Sequence, residues 1–450
     1  MFLTRHRFTV CMASVVAGGF FNQVRAAETI SDAFNRVDVP HKLDLSRYAR
    51  TANGTHAAES IQTISPALDF DPIFGPPGSG FPVNGDKSNV LYNAVITISQ
   101  GAAGISAAIE SLAAGSNANL SSATLAASSS VMTSMRTAMQ QMGSDSGLRV
   151  GLDSSQTPVL AATDVANTVR NLNDPSAPGR VWLQGIGSYG KLDGEQGNSS
   201  FEQRTAGTVL GVDWSLSPEW RMGVLGGYSK TDLDSHNFEG TLHSWHVGAY
   251  AMRQDGPLAL RLGAAYSGHD GDNKRTVEFE GFSDRPKGNY DADSQQAFAE
   301  LGYLLGSGRL NVEPFANLGY QRYHREGFTE KGGLAALAVD SQTQDNFSST
   351  FGVRLAQLNQ LQNGISVTPR GSLGWRHTYG DVESETRQAF VLGGSGFNVQ
   401  GSALDRDSLI VGAGVDVGIS ARQTLSIGYN AEVGSNSRNQ ALTGQWQMSF

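Results

Sequence analysis

One cysteine, Cys11, is the only sulfhydryl in 450 residues. It lies in a stretch with the features of a secretory signal. Arg5, His6 and Arg7 form a basic start, Phe8 to Phe21 is largely apolar, and Val24-Arg25-Ala26 obeys the small-residue rule before a cleavage point. Residues 1–26 are therefore expected to be removed, leaving a new start near Ala27. The remainder then has no thiol, which excludes disulfides, thiolate metal sites and a cysteine nucleophile.

Long apolar runs are also missing. No stretch reaches the roughly 18 apolar residues that mark a membrane-spanning helix. That does not exclude a membrane, because a barrel spreads its hydrophobicity over every second residue. Charge is sparse as well, at 17%, with 42 acidic against 33 basic side chains and a formal net charge of −9. The balance becomes more acidic once Arg5, Arg7 and Arg25 are removed. Such a chain suits a phosphate backbone poorly, so no nucleic-acid partner is expected.

Glycine is plentiful, 54 of 450 residues, well above the usual ~7%. Residues 27 to about 86 are polar and irregular, ending in the loop-like Gly75-Pro76-Pro77-Gly78-Ser79-Gly80. From about 87 to 142 the chain is rich in Ala, Ser and Gly. Val90, Ala94, Ile98, Ile105, Ile109 and Leu112 recur at roughly helical spacing, and Leu125, Val131, Met132, Met135 and Met139 point to a second, weaker helix. A third helix is expected from Thr157, which can cap it, and Pro158, which suits a first turn. Val165, Val169 and Leu172 follow at i, i+4 and i+7, and Asp174-Pro175 ends the pattern.

From Arg180 to Phe450 the signal is strands alone. Twelve segments alternate, near 180–192, 201–216, 219–231, 239–255, 257–270, 288–306, 308–322, 341–358, 364–379, 404–420, 422–434 and 438–450. Short turns at Ser217-Pro218, Asp255-Gly256, Gly306-Ser307-Gly308, Asn363-Gly364 and Ala421-Arg422 alternate with long stretches at 271–287, 323–340 and 380–403. Short turns on one rim and long loops on the other characterise an outer-membrane barrel.

The two faces of these strands differ. One carries Leu210, Val212 and Trp214, then Met222, Val224 and Tyr228, then Leu425, Ile427 and Tyr429. The other carries Asp213, Arg221, Arg261, Glu300, Glu313, Arg354, Arg370, Arg376, Asp416 and Glu432. In lipid every backbone group needs a partner within the protein, so a closed barrel is the stable arrangement of strands. The apolar face then meets outer-membrane lipid and the ten charged residues line a wet lumen. Aromatics near strand ends, among them Trp182, Tyr189, Trp220, Tyr320, Trp375 and Trp446, suit interfacial girdles. The fold class is an all-β membrane barrel of twelve antiparallel transmembrane strands, with a partly helical or irregular N-terminal region.

The stretch Val181-Trp182-Leu183-Gln184-Gly185-Ile186-Gly187-Ser188-Tyr189-Gly190 resembles the opening strand of the autotransporter translocator domain. Thr208 to Asp234, TVLGVDWSLSPEWRMGVLGGYSKTDLD, is similar to that family's second hairpin, and the terminal QWQMSF to its last strand. The resemblance implies an outer-membrane barrel with a helix through its pore, exporting the preceding passenger by type V secretion with help from the barrel-assembly machinery. Trp446, Met448 and Phe450 would then form the assembly signal. Val165, Val169, Arg170 and Leu172 would lie on the pore helix. The expected layout is a signal peptide at 1–26, a short passenger at 27–150, a linker and pore helix at 151–179 and the barrel at 180–450. This passenger departs from the family's long β-helical ones, since it shows no such repeat.

Catalytic motifs are not expected. Gly143-Ser144-Asp145-Ser146-Gly147 looks like a serine elbow but lacks the preceding buried strand, so it reads as a flexible turn. His324, between Tyr323 and Arg325, reads as a solvated rim histidine rather than a metal ligand. Some family members cleave their passenger inside the barrel through an asparagine. Asn171 and Asn173 could be offered to Glu300, Glu313 or Asp416, although capping the helix end is the plainer role. No enzyme, cofactor or metal is expected, and a monomer is. The rival reading is a porin-like channel whose N-terminal region stays periplasmic.

Overall fold

The structure is a computed structural model. It describes residues 44–64, 94–95, 101–150, 179–195, 198–307, 309–361, 365–380, 382–420 and 422–450, with only the backbone of 142–150 and 307. The expected signal peptide and the expected 157–173 helix, with Val165, Val169, Arg170 and Leu172, lie outside the described residues. Leu45 to Phe450 form one compact unit.

Twelve long strands form the barrel. They are β1 (Gly179–Leu192), β2 (Phe201–Ser215), β3 (Trp220–Ser235), β4 (Phe238–Asp255), β5 (Leu258–Arg275) and β6 (Lys287–Tyr303). The second half comprises β7 (Leu310–Arg325), β8 (Gln342–Gln357), β9 (Ser366–Tyr379), β10 (Asp407–Gly418), β11 (Gln423–Val433) and β12 (Ser437–Ser449). Each pairs antiparallel with its sequence neighbours, and β1 pairs with β12 from Arg180↔Ser449 to Leu192↔Ser437. The sheet therefore has no free edge, and the barrel strands satisfy their ladder hydrogen bonds from one another. Phe450 completes the seam: its N–H donates to Gly179 O at 2.9 Å and its carbonyl accepts from Gly179 N at 3.1 Å.

Alternation decides which side meets lipid. Leu210, Val224, Leu318 and Ile427 point outward, Leu318 with 66% of its surface exposed, whereas Asp213, Arg261 and Glu300 have none exposed. The strands run from 11 to 18 residues, against the roughly 9–11 needed to cross a bilayer, so the longer ones project beyond it. One expected girdle residue falls on the other side. Trp182 is fully buried, because its parity puts it on the inner face, where its Nε1–H donates to Tyr250 Oη at 2.8 Å.

One rim carries the connections 216–219, 256–257, 304–309, 358–365 and 419–422. Gly256 takes φ 55° in the tightest of these, a left-handed value that favours glycine. The opposite rim carries the longer connections, although 236–237 and 434–436 there are also tight. The expected long loops are not irregular. Phe328–Thr329, Leu337–Val339, Glu385–Phe390 and Phe397–Gln400 pair into a four-stranded sheet above this rim. Bidentate bonds of 2.8 and 2.7 Å from Arg275 to Glu330, both buried, pin its base to β5.

Among the described residues before the barrel are the helices α1 (Ala52–Ile64), α2 (Ala102–Ala113) and α3 (Leu120–Val150). The α1 helix falls in the segment expected to be irregular. Its buried Ala57, Ala58, Ile61 and Ile64 lie on one stripe, a signal thinned by the polar residues between them. The 143–147 stretch, expected as a turn, continues α3. Serine-rich helices are weak alone because hydroxyls compete for backbone bonds. Here Thr124, Ser128 and Ser134 instead donate to the carbonyls four residues back, at 2.8–2.9 Å, which removes their polarity from the helix surface.

Candidate functional site

The interior of the barrel holds α3. At about 1.5 Å per residue its 31 residues span roughly 46 Å, enough to traverse the bore. Its first turn lies at the long-loop rim, where Ser402 N donates to the Asn119 side chain at 2.7 Å. Near its far end Gln141 donates to Ser426 Oγ at 3.0 Å and accepts from Gln445 Nε2 at 2.7 Å, close to the short-turn rim. The helix seen in the bore thus runs from 120 to at least 141, while the segment expected there, 157–173, lies outside the described residues.

Small residues make this possible. Ala and Ser on α3 keep it slim, and one methionine stripe supplies the contact. Val131, Met132, Met135 and Met139 pack on Trp182, Ile186, Val209, Leu225, Tyr250, Met252 and Phe298. Along this stripe the bore is an apolar core rather than a wet lining. A β-carbon at Gly263 would overlap Met135 Sδ and the Phe298 ring, so β5 needs glycine there for the helix to approach.

All ten expected charged residues face inward, and the structure gathers them into four groups. In the first, Asp213 accepts from Arg180 Nη2 at 2.7 Å, from Tyr250 Oη at 2.9 Å and from Arg221 Nη2 at 3.4 Å. Arg180 also donates to Ala138 O on α3 at 2.9 Å and to Gln447 at 3.1 Å, joining helix, first strand and last strand. Sequence reading missed Arg180. Its parity with Trp182 and Gln184 was the available signal.

The second group spans β5 to β8. Arg261 donates to Glu300 at 3.1 Å and to Glu313, and Arg354 donates to Glu300 at 2.8 and 2.6 Å. In the third, Arg370 donates to Asp416 at 2.8 Å. In the fourth, Arg376 grips both oxygens of Glu432 at 2.9 and 2.8 Å, and Ser408 Oγ donates to the same carboxylate at 2.7 Å. Charges so placed stay in a barrel wall only because each is paired and hydrogen-bonded. These carboxylates are engaged, and the asparagines considered for cleavage lie outside the described residues.

Ser128 on α3 approaches His269 Nε2 at 3.4 Å, which superficially resembles a nucleophile and its base. The other ring nitrogen meets Ser244 Oγ at 2.8 Å. A hydroxyl there cannot stabilise an imidazolium as a carboxylate does, so the arrangement lacks the third member of a triad. It reads as a hydrogen-bonded seam between helix and wall. His324 is half-exposed at the end of β7, with Nδ1 2.9 Å from Thr343 Oγ1.

The autotransporter beta-domain family model matches residues 181–430. The chain belongs to the autotransporter family. The translocator domain of autotransporter NalP from Neisseria meningitidis superposes with a TM-score of 0.51 at 15% identity, over 65% of this chain and 95% of that one, and so shares the fold. An extracellular serine protease of Serratia marcescens is 37% identical over 264 residues, which is 58% of this chain but 25% of the protease. Esterase EstA of Pseudomonas aeruginosa is 22% identical over 279 residues, 60% of this chain and 43% of the esterase. The chain thus spans about a quarter of the protease and less than half of the esterase. This autotransporter's barrel sits in the bacterial outer membrane. The barrel domain is not itself catalytic.

Proposed function

We propose that this autotransporter carries a short passenger that stays docked on its own barrel as a helical cap. The observation that carries the reading is the path of the chain. Long loops face outward in outer-membrane barrels. The α1 and α2 helices pack at that rim, and α3 then descends through the bore toward the short-turn rim where β1 begins. A chain that had crossed the barrel from inside would leave this trace. The porin-like alternative would put the N-terminal region at the short-turn rim.

The cap is bound to the loops by many polar contacts. Gln388 Nε2 donates to Ala113 O at 2.6 Å, Asn117 Nδ2 to Gln388 Oε1 at 3.1 Å and Ser60 Oγ to Ser395 O at 2.6 Å. A segment so held is suited to display rather than release. The activities in the relatives' names are not carried over, since each relative extends far beyond this chain. The expected passenger, 27–150, divides on this reading into a cap up to Asn119 and a bore helix from Leu120. The ten bore charges, the terminal Trp446, Met448 and Phe450, and help from the barrel-assembly machinery fit the same scheme.

Protease treatment of intact cells tests it. Fragments from residues 45–119 should be released from whole cells, and mass spectrometry of untreated outer membranes should give one species containing both cap and barrel. Protection of 45–119 until the outer membrane is permeabilised, or a separate barrel fragment beginning after α3, would overturn it.

A further inference from the structure

The helix does not fill the bore. The α3 helix lies against β1–β8, and three cavities of about 140, 130 and 90 Å³ follow its other side. The upper and middle cavities share Arg376 and Glu432. The middle and lower share Arg354 and Ser372. Together they make a lane from Leu404 near the long-loop rim to Leu304 near the short-turn rim.

The charge along this lane is one-sided, although the chain as a whole is acidic. Six cationic side chains line it, Lys191, Arg438, Arg376, Arg136, Arg354 and Arg370, against three carboxylates. Each carboxylate is already engaged. Glu432 is held by Arg376, Glu313 by Arg261, and Asp405 by the Ser435 and Ser437 hydroxyls. Arg136 differs from the other lumen arginines. Among the described residues no carboxylate lies within ion-pair distance of it. Its Nη2 reaches Thr133 Oγ1 at 3.5 Å, and its guanidinium sits 5.8 Å from the Phe298 ring. It faces the middle cavity beside Arg354 and Arg376, among Ser and Thr hydroxyls.

We propose that the barrel, with its helix seated, conducts small hydrated anions along this lane, and that Arg136 sets the preference. A guanidinium free of a carboxylate at the midpoint of a low-dielectric passage raises the local anion concentration and repels cations. The hydroxyls beside it replace part of the hydration shell. Arg354, Arg376 and Arg370 add to the field only in part, because Glu300, Glu432 and Asp416 balance them.

The test uses the purified full-length protein in planar bilayers under a potassium chloride gradient. A small steady conductance is expected, with a reversal potential on the chloride side. Arg136→Gln should move that potential toward zero, and Arg136→Glu should carry it to the potassium side. Each variant is first checked for the folded, heat-modifiable gel mobility, and Arg136→Gln retains the test if Arg136→Glu does not fold. No conductance above the bare bilayer, cation preference in the parent protein, or an unchanged reversal potential in a folded variant would overturn the proposal.

Discussion

Asn53 on α1 and Gln400 in the long β9–β10 connection exchange two hydrogen bonds, each 2.8 Å: Asn53 Nδ2 donates to Gln400 O, and Gln400 N donates to Asn53 Oδ1. The side-chain amide thereby takes the place of a neighbouring strand at the edge of the rim sheet. An edge that would otherwise offer unpaired backbone groups is closed by the cap.

Asn53→Ala leaves the Gln400 N–H without its partner, whereas Gln400 O keeps the bond from Asn198 Nδ2 at 2.8 Å. A loss of about 1–3 kcal/mol is expected for a buried group left unsatisfied, confined to the cap. Limited proteolysis should cut within α1 at lower protease concentration while the barrel keeps its folded gel mobility. Unchanged cleavage would show that the pair does not hold the cap.

The Arg275–Glu330 pair makes a second, separable prediction. Its side chains are 3% and 0% exposed, and Glu330 also accepts from Leu337 N at 3.0 Å. Glu330→Gln removes the charge while Arg275 stays buried, a change of the order of 3–5 kcal/mol when one partner of such a pair is lost. Hydrogen exchange should speed up across 328–339 and leave β5 protected.

Seating of the bore helix depends on Gly263. Gly263→Val would overpack the Met135 contact, at a cost of about 1–3 kcal/mol. The expected result is a barrel that folds but melts at lower temperature, with a wider pore in conductance recordings. A second change, Met135→Ala, should restore part of the stability by vacating the space.

Acid should loosen the turn between β11 and β12. Burial alone would raise the carboxyl pKa of Asp405. Hydrogen bonds from the Ser437 and Ser435 hydroxyls and from the Asn436 and Ser437 amides outweigh it and hold the pKa below the usual carboxylate range. A depressed folded-state pKa stabilises above the unfolded value, near 3.9, and that stabilisation fades as pH falls through the folded value. Protection of the Asn436 and Ser437 amides, relative to their unstructured exchange rates at the same pH, should therefore be high at neutral pH and fall below about pH 4. Asp405→Asn should make it low at both.

The seam predicts an assembly defect. The Phe450 ring lies over Gly179, where a β-carbon would meet it at 2.6 Å. Phe450→Ala removes that cover and the terminal aromatic together. In cells, less of the protein should reach the heat-modifiable form. Equal amounts from parent and variant would argue against a role for the terminal aromatic in assembly.

Much of the barrel was legible because period-two alternation is a local property. Leu425, Ile427 and Tyr429 declare an outward face without reference to any partner, and the twelve expected segments lie close to the twelve strands. The helix in the bore was harder to read. Ser128, Ser134 and Thr124 lower a helix's intrinsic preference, and only the barrel wall around them makes the helical form the stable one. The α1 helix was lost for a similar reason, as its stripe acquires meaning only against the rim sheet.

The sequence by itself determined a closed, lipid-facing cylinder, since alternating apolar strands admit no other solution where water cannot reach the backbone. Strand parity also set ten charged residues on the face opposite the apolar one, without Arg180. Tertiary structure alone decided that the helix from Leu120 to Gln141 lies in the bore, that its methionine stripe packs on the wall as an apolar core, and that Arg180 ties this helix to the seam. Those outcomes depend on contacts between residues 42 to 304 positions apart, and no local periodicity records such contacts.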